Sequence, residues 1–576
     1  MGTIDRRPYL TATVLDQNLL DQSQDNLTGQ LRMVAEVETP TGTIYLSDRA
    51  TYVGSTYYEP RVIFPEIRRT VGDWLANEVQ FSSLTLEINN ADGKFNEFLP
   101  GGANYNGWLQ RAIIIKLGVG ETASTYSTIF RGKITDVEGF QRNTTTFTLI
   151  ARDDFEKVSV NIPSQFLIEA DWPDIEDNFI GLGAPIIYGD WTTELRIEGP
   201  EIPAYPVNGN DIAVNASLED PSAGDTALRL VISSTAISFF DDTSVTLFRG
   251  DKYYTFDSSD ISIVPATNNT VFDITQKNLI IDGDPWIYES GDEFFLKVKG
   301  VDLGIGNLDN IVLQAKDILE QFAGLSVGDF DANWTTYATK ASPAQSNIVG
   351  IKSRVWQQET ATALQQSLSL LEQVRLEAFI DRNGKFKISS LQFEDWQTSP
   401  SHTVKNWDLK QGSFLPKLDP RNNFNRAKAD FAFSPAKGQN KYSTPVFRNQ
   451  SAITQASNRT IGKNISLPNL YIRADAVNQL IEIIRLASSY SEMIDLILTP
   501  RALLQDIGGF VGLDVTIGSI QMRTIDGVVG LIREIGYNPQ GEIPAKIWAF
   551  QMINYPGYSG PSGTVGGYNA IITQEL

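Results

Sequence analysis

Residues 304–324, GIGNLDNIVLQAKDILEQFAG, and residues 375–393, RLEAFIDRNGKFKISSLQF, decide how this chain is read. In the first stretch Leu308, Ile311, Val312, Ala315, Ile318, Leu319 and Phe322 recur at helical spacing, which predicts one amphipathic helix with that face buried. Asn307 or Asp309 is placed to cap its start, and Gly324 stands where a left-handed stop belongs. A second helix is predicted from Glu359 to Gln373, with Leu364, Leu368 and Leu371 on one side. The second quoted stretch then reads as a hairpin. Leu376, Phe379 and Ile380 lie in one strand, Phe386 and Ile388 in the other, and Asn383-Gly384 supplies the residues of a tight turn. No side chain here forms a catalytic grouping, so the unit reads as a rigid building block.

Outward from this unit the chain is β-rich. Before it, YLTATVLD, RMVAEVETP, GTIYLSD, YYEPRVIF, SLTLEINN, AIIIKLGVG, YSTIFRGKITDVEGF and TTFTLIARD are short alternating or apolar segments divided by turn signals such as Asn90-Ala91-Asp92-Gly93. A second run of strand-like segments, ALRLVIS to DEFFLKVKG, predicts an inserted sandwich or barrel with aromatics Phe239, Phe240, Tyr253, Tyr254, Trp286 and Tyr288 in its core. After the unit come a polar connector, the strand NRAKADFAFSP, a third helix from about Ala474 to Tyr490, and the strands MIDLILTP, VGLDVTIG, VVGLIREIGYNP and AKIWAFQMINY. The expected division is 1–190, a β-rich domain; 191–302, the insertion; 303–400, the helix–helix–hairpin module; 401–555, a C-terminal α+β domain; and 556–576, a flexible Gly- and Ser-rich tail. No solenoid-type repeat is visible. The fold class is multidomain and mainly β, with α+β parts.

Composition narrows the chemistry. A chain of 576 residues exceeds one compact domain, and 45 Gly with 26 Pro suit many turns. With no cysteine, disulfides and thiolate metal sites are excluded. The single histidine, His402, lies in the polar stretch TSPSHTVKN and reads as an exposed loop residue; one histidine cannot build a multi-histidine metal site. The formal charge of −22 argues against a broad nucleic-acid-binding face. No segment has signal-peptide character or the length of apolar run that spans a bilayer.

Motif tests assign no catalytic, cofactor-binding or metal-ligating residue, and no cofactor. Asp329, Asp331 and Asn333 occupy the first ligand positions of a calcium loop, but Trp334 replaces the turn glycine and Lys340 the closing glutamate. The Asp92-Gly93 and Asn383-Gly384 loops would need ligands at Ile88 and Phe379, so both read as hairpin turns. GxSxG, HExxH and GxxxxGK[ST] patterns are absent. Gly304-Ile305-Gly306 lacks the third glycine of a dinucleotide loop and has Asp309 there instead, which would repel a pyrophosphate. Asp153-Asp154 and Asp241-Asp242 are neighbours in strand-like segments, where adjacent side chains point to opposite faces. The chain is expected not to be an enzyme.

Four segments, in this order, resemble the tail hub proteins of tailed bacteriophages, the family of baseplate hub and tail-tip proteins. Tyr58-Glu59-Pro60, Leu84 to Asn90, Trp108 to Gly118 and Phe130-Arg131-Gly132-Lys133-Ile134 resemble the N-terminal phage-tail domain pattern. Ala184-Pro185-Ile186-Ile187-Tyr188-Gly189 is similar to the family's P-[IV]-x-[YF]-G segment. The stretch from the quoted helix through the hairpin is the third, and Arg473 to Tyr537 the fourth. The resemblance leaves out the insertion and the last residues. It implies tube-type β-barrel domains in a structural protein of the virion, at the distal end of the phage tail and made in the host cytoplasm. The implied assembly is a homotrimer whose paired barrels imitate a six-fold ring around the DNA ejection channel. The implied partners are the distal tail or tail tube protein, the tape-measure protein, and tail fibre or central spike proteins. DNA would pass through the lumen without specific binding, and the chain would have no membrane span. Two other readings stay open: a host receptor- or glycan-binding tail protein, with the insertion as the binding module, and a tail-associated cell-wall hydrolase.

Overall fold

The computed structural model describes residues 31–71, 79, 82–98, 102–105, 107–139, 145–153, 158–173, 175–192, 202–207, 227–233, 243–249, 252–265, 270–275, 280–281, 284–285, 292–301, 309–339, 351–391, 402–418, 424–455, 458–488, 491–499, 506–517, 523–539, 542–550 and 572–574. Leu308, Lys340, Phe239, Phe240, Trp286, Tyr288, Asp154, Asp241-Asp242 and the Gly304-Ile305-Gly306 turn lie outside them. The architecture is multidomain and mainly β.

The first body is a barrel. Ser83–Asn89, Ala112–Val119, Ser127–Glu138 and Thr146–Arg152 form a four-strand unit in which the last three strands run as a meander and the fourth returns to pair with the first. Alternation drives the segments inward: Leu84, Leu86 and Ile88, then Ile113, Ile115 and Leu117, are buried on one face. The hairpin Leu31–Thr39 and Gly42–Ser47 extends this sheet beyond Ala112–Val119. Residues 56–63 close the ring. Glu59 and Pro60 pair in parallel with Leu46 and Ser47, and two residues later Val62 and Ile63 pair antiparallel with Ile88 and Glu87. Closure removes free edges, which a mainly β protein must otherwise protect.

The second barrel repeats that strand order. Ser491–Leu498, Phe510–Ile517, Arg523–Tyr537 and Ile543–Phe550 again form a meander of three whose last strand pairs with the first. The closing strand again begins parallel and ends antiparallel. His402–Lys405 runs with Val511–Asp514, and Leu409 then bridges Leu498, with Leu415–Leu418 continuing along the same edge. His402 is therefore in a strand, half-buried, with Nε2 3.5 Å from Asp408 Oδ2, and not in an exposed loop.

A helical module sits against both barrels. Its helices are α1 (Ile311–Ala323), α2 (Asn333–Thr339), α3 (Ala363–Gln373), α4 (Gln450–Gln455) and α5 (Arg473–Ser488). Asn310, not Asn307 or Asp309, caps α1: its side chain accepts from the backbone N–H groups of Val312 and Leu313 at 3.1 Å each. Gly324 ends α1 at φ 66°, as its position predicts. Helix α3 begins at Ala363, later than expected, because Thr362 and Gln365 form a reciprocal capping box. Ile311, Val312, Ala315, Ile318 and Leu319 are buried against Leu364, Leu368 and Leu371, and Ser367 Oγ donates to the Ala315 carbonyl across the helix pair at 2.8 Å.

The module's boundaries differ from the sequence division. Val158, Ile162, Ile186 and Tyr188 share a core with α1, as do Phe424, Ala427, Ala429 and Leu480, so parts of 1–190 and 401–555 belong to this body. Hydrophobic alternation locates strands but carries no information on which distant layer covers them. The insertion behaves as one unit on two adjacent stems: Trp191 N donates to the Val298 carbonyl and Gly300 N to the Gly189 carbonyl, each at 2.9 Å. Its seven-stranded sheet folds over a core of Leu228, Leu230, Val245, Leu247, Phe256, Phe272, Phe294 and Leu296. Tyr254 packs on that core, whereas Tyr253 is 69% exposed, contrary to the expectation that both are internal. In the tail expected to be unanchored, Ile572–Gln574 pairs antiparallel with Phe447–Asn449.

Candidate functional site

The hairpin Leu376–Ile380 and Phe386–Ser390 lies where all three bodies meet, and every residue of its first strand is buried. Two opposite faces explain this. Leu376, Ala378, Ile380, Phe386 and Ile388 enter the helical core, while Phe379 enters the core shared by the barrels. Around the turn Asp381 Oδ1 accepts from Asn383 N at 2.9 Å and Lys385 N at 2.8 Å. Only Gly384 of the Asn-Gly pair has positive φ, 73°, so the turn is a longer loop than the two-residue form the dipeptide predicts. Trp334 of α2 donates from Nε1 to the Phe386 carbonyl at 2.9 Å and stacks on that ring. The Asp329–Asn333 loop thus ends in a helix packed on the hairpin. Its carboxylates serve the backbone: Asp329 accepts from Ser326 N at 2.7 Å and Asp331 from Asn333 N at 3.0 Å.

Charge is buried at the same junction. Arg533, from the long strand of the second barrel, pairs with Glu377 of the hairpin, and its guanidinium lies over Trp548 at 5.9 Å. Arg69 donates to Asp506 and to the Ile380 carbonyl, and Asp506 also accepts from Arg382 N at 2.9 Å. Asp153 is buried beside this cluster with Ser82 N donating to Oδ2 at 2.6 Å; burial pushes its carboxyl up to about 6, against the smaller pulls of that hydrogen bond and of Arg69. Apart from Asp153, noted only as half of a neighbouring acidic pair, these groups were missed in the sequence. The signal for Glu377 was a single charge inside the apolar strand LEAFI, and for Arg533 the adjacent charges inside VVGLIREIG.

The barrels themselves are joined edge to edge. Ile67–Thr70, which leaves the first barrel just after its closing strand, pairs antiparallel with Glu534–Tyr537 of the second. One continuous apolar core runs through both, from Leu86 and Ile115 to Leu496, Leu513 and Ile547. Within the Pro185–Gly189 segment, Ile186–Tyr188 is a buried strand paired with Val355–Gln357. Tyr188 donates to Asp317 Oδ2 of α1 at 2.6 Å, and burial, with Asp317 beside it, raises its phenol. Gly189 has φ 86°, and a Cβ there would collide with the Ser353 carbonyl. Among the described residues, no cluster of three His, Asp or Glu is placed to hold a metal, and no helix is long and apolar enough to cross a membrane.

No family model and no curated protein matches the chain by sequence. Solved structures similar to it include tail proteins and a virion protein. A tail protein from Neisseria meningitidis aligns at 8% identity over 90% of this chain and 97% of its own, with TM-score 0.36. A prophage tail protein from Shewanella oneidensis aligns at 12% identity over 91% of this chain and 98% of its own, with TM-score 0.37. A protein of the gene transfer agent virion aligns at 12% identity over 66% of this chain and 87% of its own, with TM-score 0.35.

Proposed function

We propose that this chain is a tail hub of a bacteriophage virion, a homotrimer at the distal end of the tail. The observation that carries the reading is the pair of barrels with one strand order, fused edge to edge on a common core. Three such pairs closing about a three-fold axis make a ring of six barrels, a surface on which a six-fold tube can end. The fused core keeps the angle between the two barrels of one chain fixed, so symmetry is matched by rigid parts. The ring would join the tail tube or distal tail protein and the tape measure to fibres or a central spike. Its channel would carry DNA without gripping phosphates, in keeping with a chain of net charge −22. No catalytic step belongs to this role, and a zone of clearing on cell-wall substrate would contradict that part. The direct test is the mass of the complex formed when the purified chain is mixed with its tube or distal-tail partner. Three copies per complex are expected, and a chain that stays monomeric in the mixture overturns the proposal.

A receptor-binding reading of the insertion has one observation in its favour. Exposed Tyr253 lies beside Phe248 at 6.1 Å, and Phe248 beside Phe295 at 5.5 Å, giving a row of rings on one sheet face. If sugars stack there, Tyr253→Ala lowers phage adsorption and leaves particle assembly intact.

A further inference from the structure

Arg375 occupies an unusual position. It stands just past Val374, the cap of α3, at φ 59°, the left-handed site where helices usually end in glycine. Its side chain is buried, with Nε lacking a hydrogen-bond partner, and its guanidinium makes no hydrogen bond to a described residue. The nearest opposite charge is Glu372, one turn back on α3, whose own carboxyl is pushed up by burial; burial pulls the guanidinium down to about 10. A buried cation in a strained backbone, short of partners, is costly unless something completes it.

The side chain lines a cleft of about 320 Å³ between α3 and Gly462–Leu467, together with Glu372, Lys463, Asn464 and Ser466. Gly462–Leu467 pairs with Arg426–Phe431 on one side, and among the described residues nothing pairs with its other edge. Such an edge accepts an added extended strand. Two cations and one carboxylate leave the cleft one positive charge in excess, which a monoanion neutralises and a phosphate dianion overshoots beside Glu372. The planar guanidinium also matches a carboxylate in two-pronged geometry.

We propose that the cleft receives one carboxylate side chain from an extended segment of a partner protein laid along the 462–467 edge. The site stands apart from the barrel ring and does not depend on it.

The test uses the full chain and two fluorescein-labelled heptapeptides of Thr, Val and Ser, one with a central Glu and one with Gln, read by fluorescence anisotropy. The Glu peptide is expected to bind at least about tenfold tighter than the Gln peptide, the discrimination of one charge-assisted pair. Acetate is expected to compete better than inorganic phosphate at matched ionic strength. Arg375→Gly relieves the backbone strain, so its melting midpoint should equal or exceed that of the parent while the Glu preference is lost. Lys463→Gln, at an exposed position, should weaken that preference without affecting the fold. Equal binding of the two peptides, absence of binding, stronger competition by phosphate, or a lowered midpoint for Arg375→Gly each overturns the proposal; the last would make the guanidinium a structural element.

Discussion

Glu377 and Arg533, each 7% exposed at the side chain, show what a single charged residue in an apolar strand is for. The pair ties the hairpin to the second barrel, and its value lies in completeness. Glu377→Gln leaves a buried guanidinium without its counter-charge and should destabilise the chain by about 3–5 kcal/mol. The double change Glu377→Leu with Arg533→Met removes both charges and should cost clearly less than the single one; urea unfolding of the three proteins decides. Asp153 works in the opposite sense. Its folded-state value, about 6, lies above the ordinary carboxylate value, so the folded chain holds that proton more tightly than the unfolded chain. The site costs nothing at pH below the unfolded value and destabilises as pH climbs through about 6, by up to about 3 kcal/mol. Asp153→Asn should therefore stabilise at pH 7 and lose the advantage by pH 4. Melting curves across that range test the difference, and a gap that does not change with pH contradicts it. Gly508 is a steric case: it has φ 68°, and a Cβ there would enter the ring of Phe379. Gly508→Ala should cost about 1–3 kcal/mol or more through overpacking and the left-handed backbone.

At the level of elements, α1 behaves as its spacing dictates. Ile318 is fully buried among α3 and the hairpin, so Ile318→Asp places an unpaired charge in the helical core and should destabilise by several kcal/mol. An unchanged thermal melt would contradict the packing described. Much of this level was legible in the residues. Periods of 3.6 and 2 placed α1, α3, α5 and most strands, and Gly324 marked its helix end. What escaped follows from one physical fact: local pattern reports that a residue is buried, not which layer buries it. Tyr188 reads as part of one domain and Phe424 and Leu480 as parts of another, yet all three share the core of α1. Leu376, Phe379 and Ile380 read together as one strand's apolar residues, but Phe379 turns with Glu377 to the opposite face and is buried against the barrels. The caps moved for a similar reason. Asn310 competes with Asn307 and Asp309 on equal chemical terms, so residue type does not choose among them.

For the whole molecule, the repeated barrel is the feature that periodicity could not reveal. The two copies share a strand order but differ in what interrupts them. The first carries the added hairpin Leu31–Thr39 and Gly42–Ser47, and the second has residues 424–488 set between its closing strand and its first meander strand. Repeats that persist only as topology leave no fixed spacing in sequence. The strand Ile67–Thr70, lent by one barrel to the other, joins the pair through one sheet edge and one core, and the hairpin packs the helical module against both. On the proposed function, three such pairs close into a ring. Electron-microscope images of the chain bound to its tube partner, viewed down the tube axis, test this most directly. Six barrel-sized lobes around an open channel, contributed by three chains with three-fold symmetry, are expected. A ring with one barrel pair per six-fold position, or barrels lying off the channel wall, would contradict it.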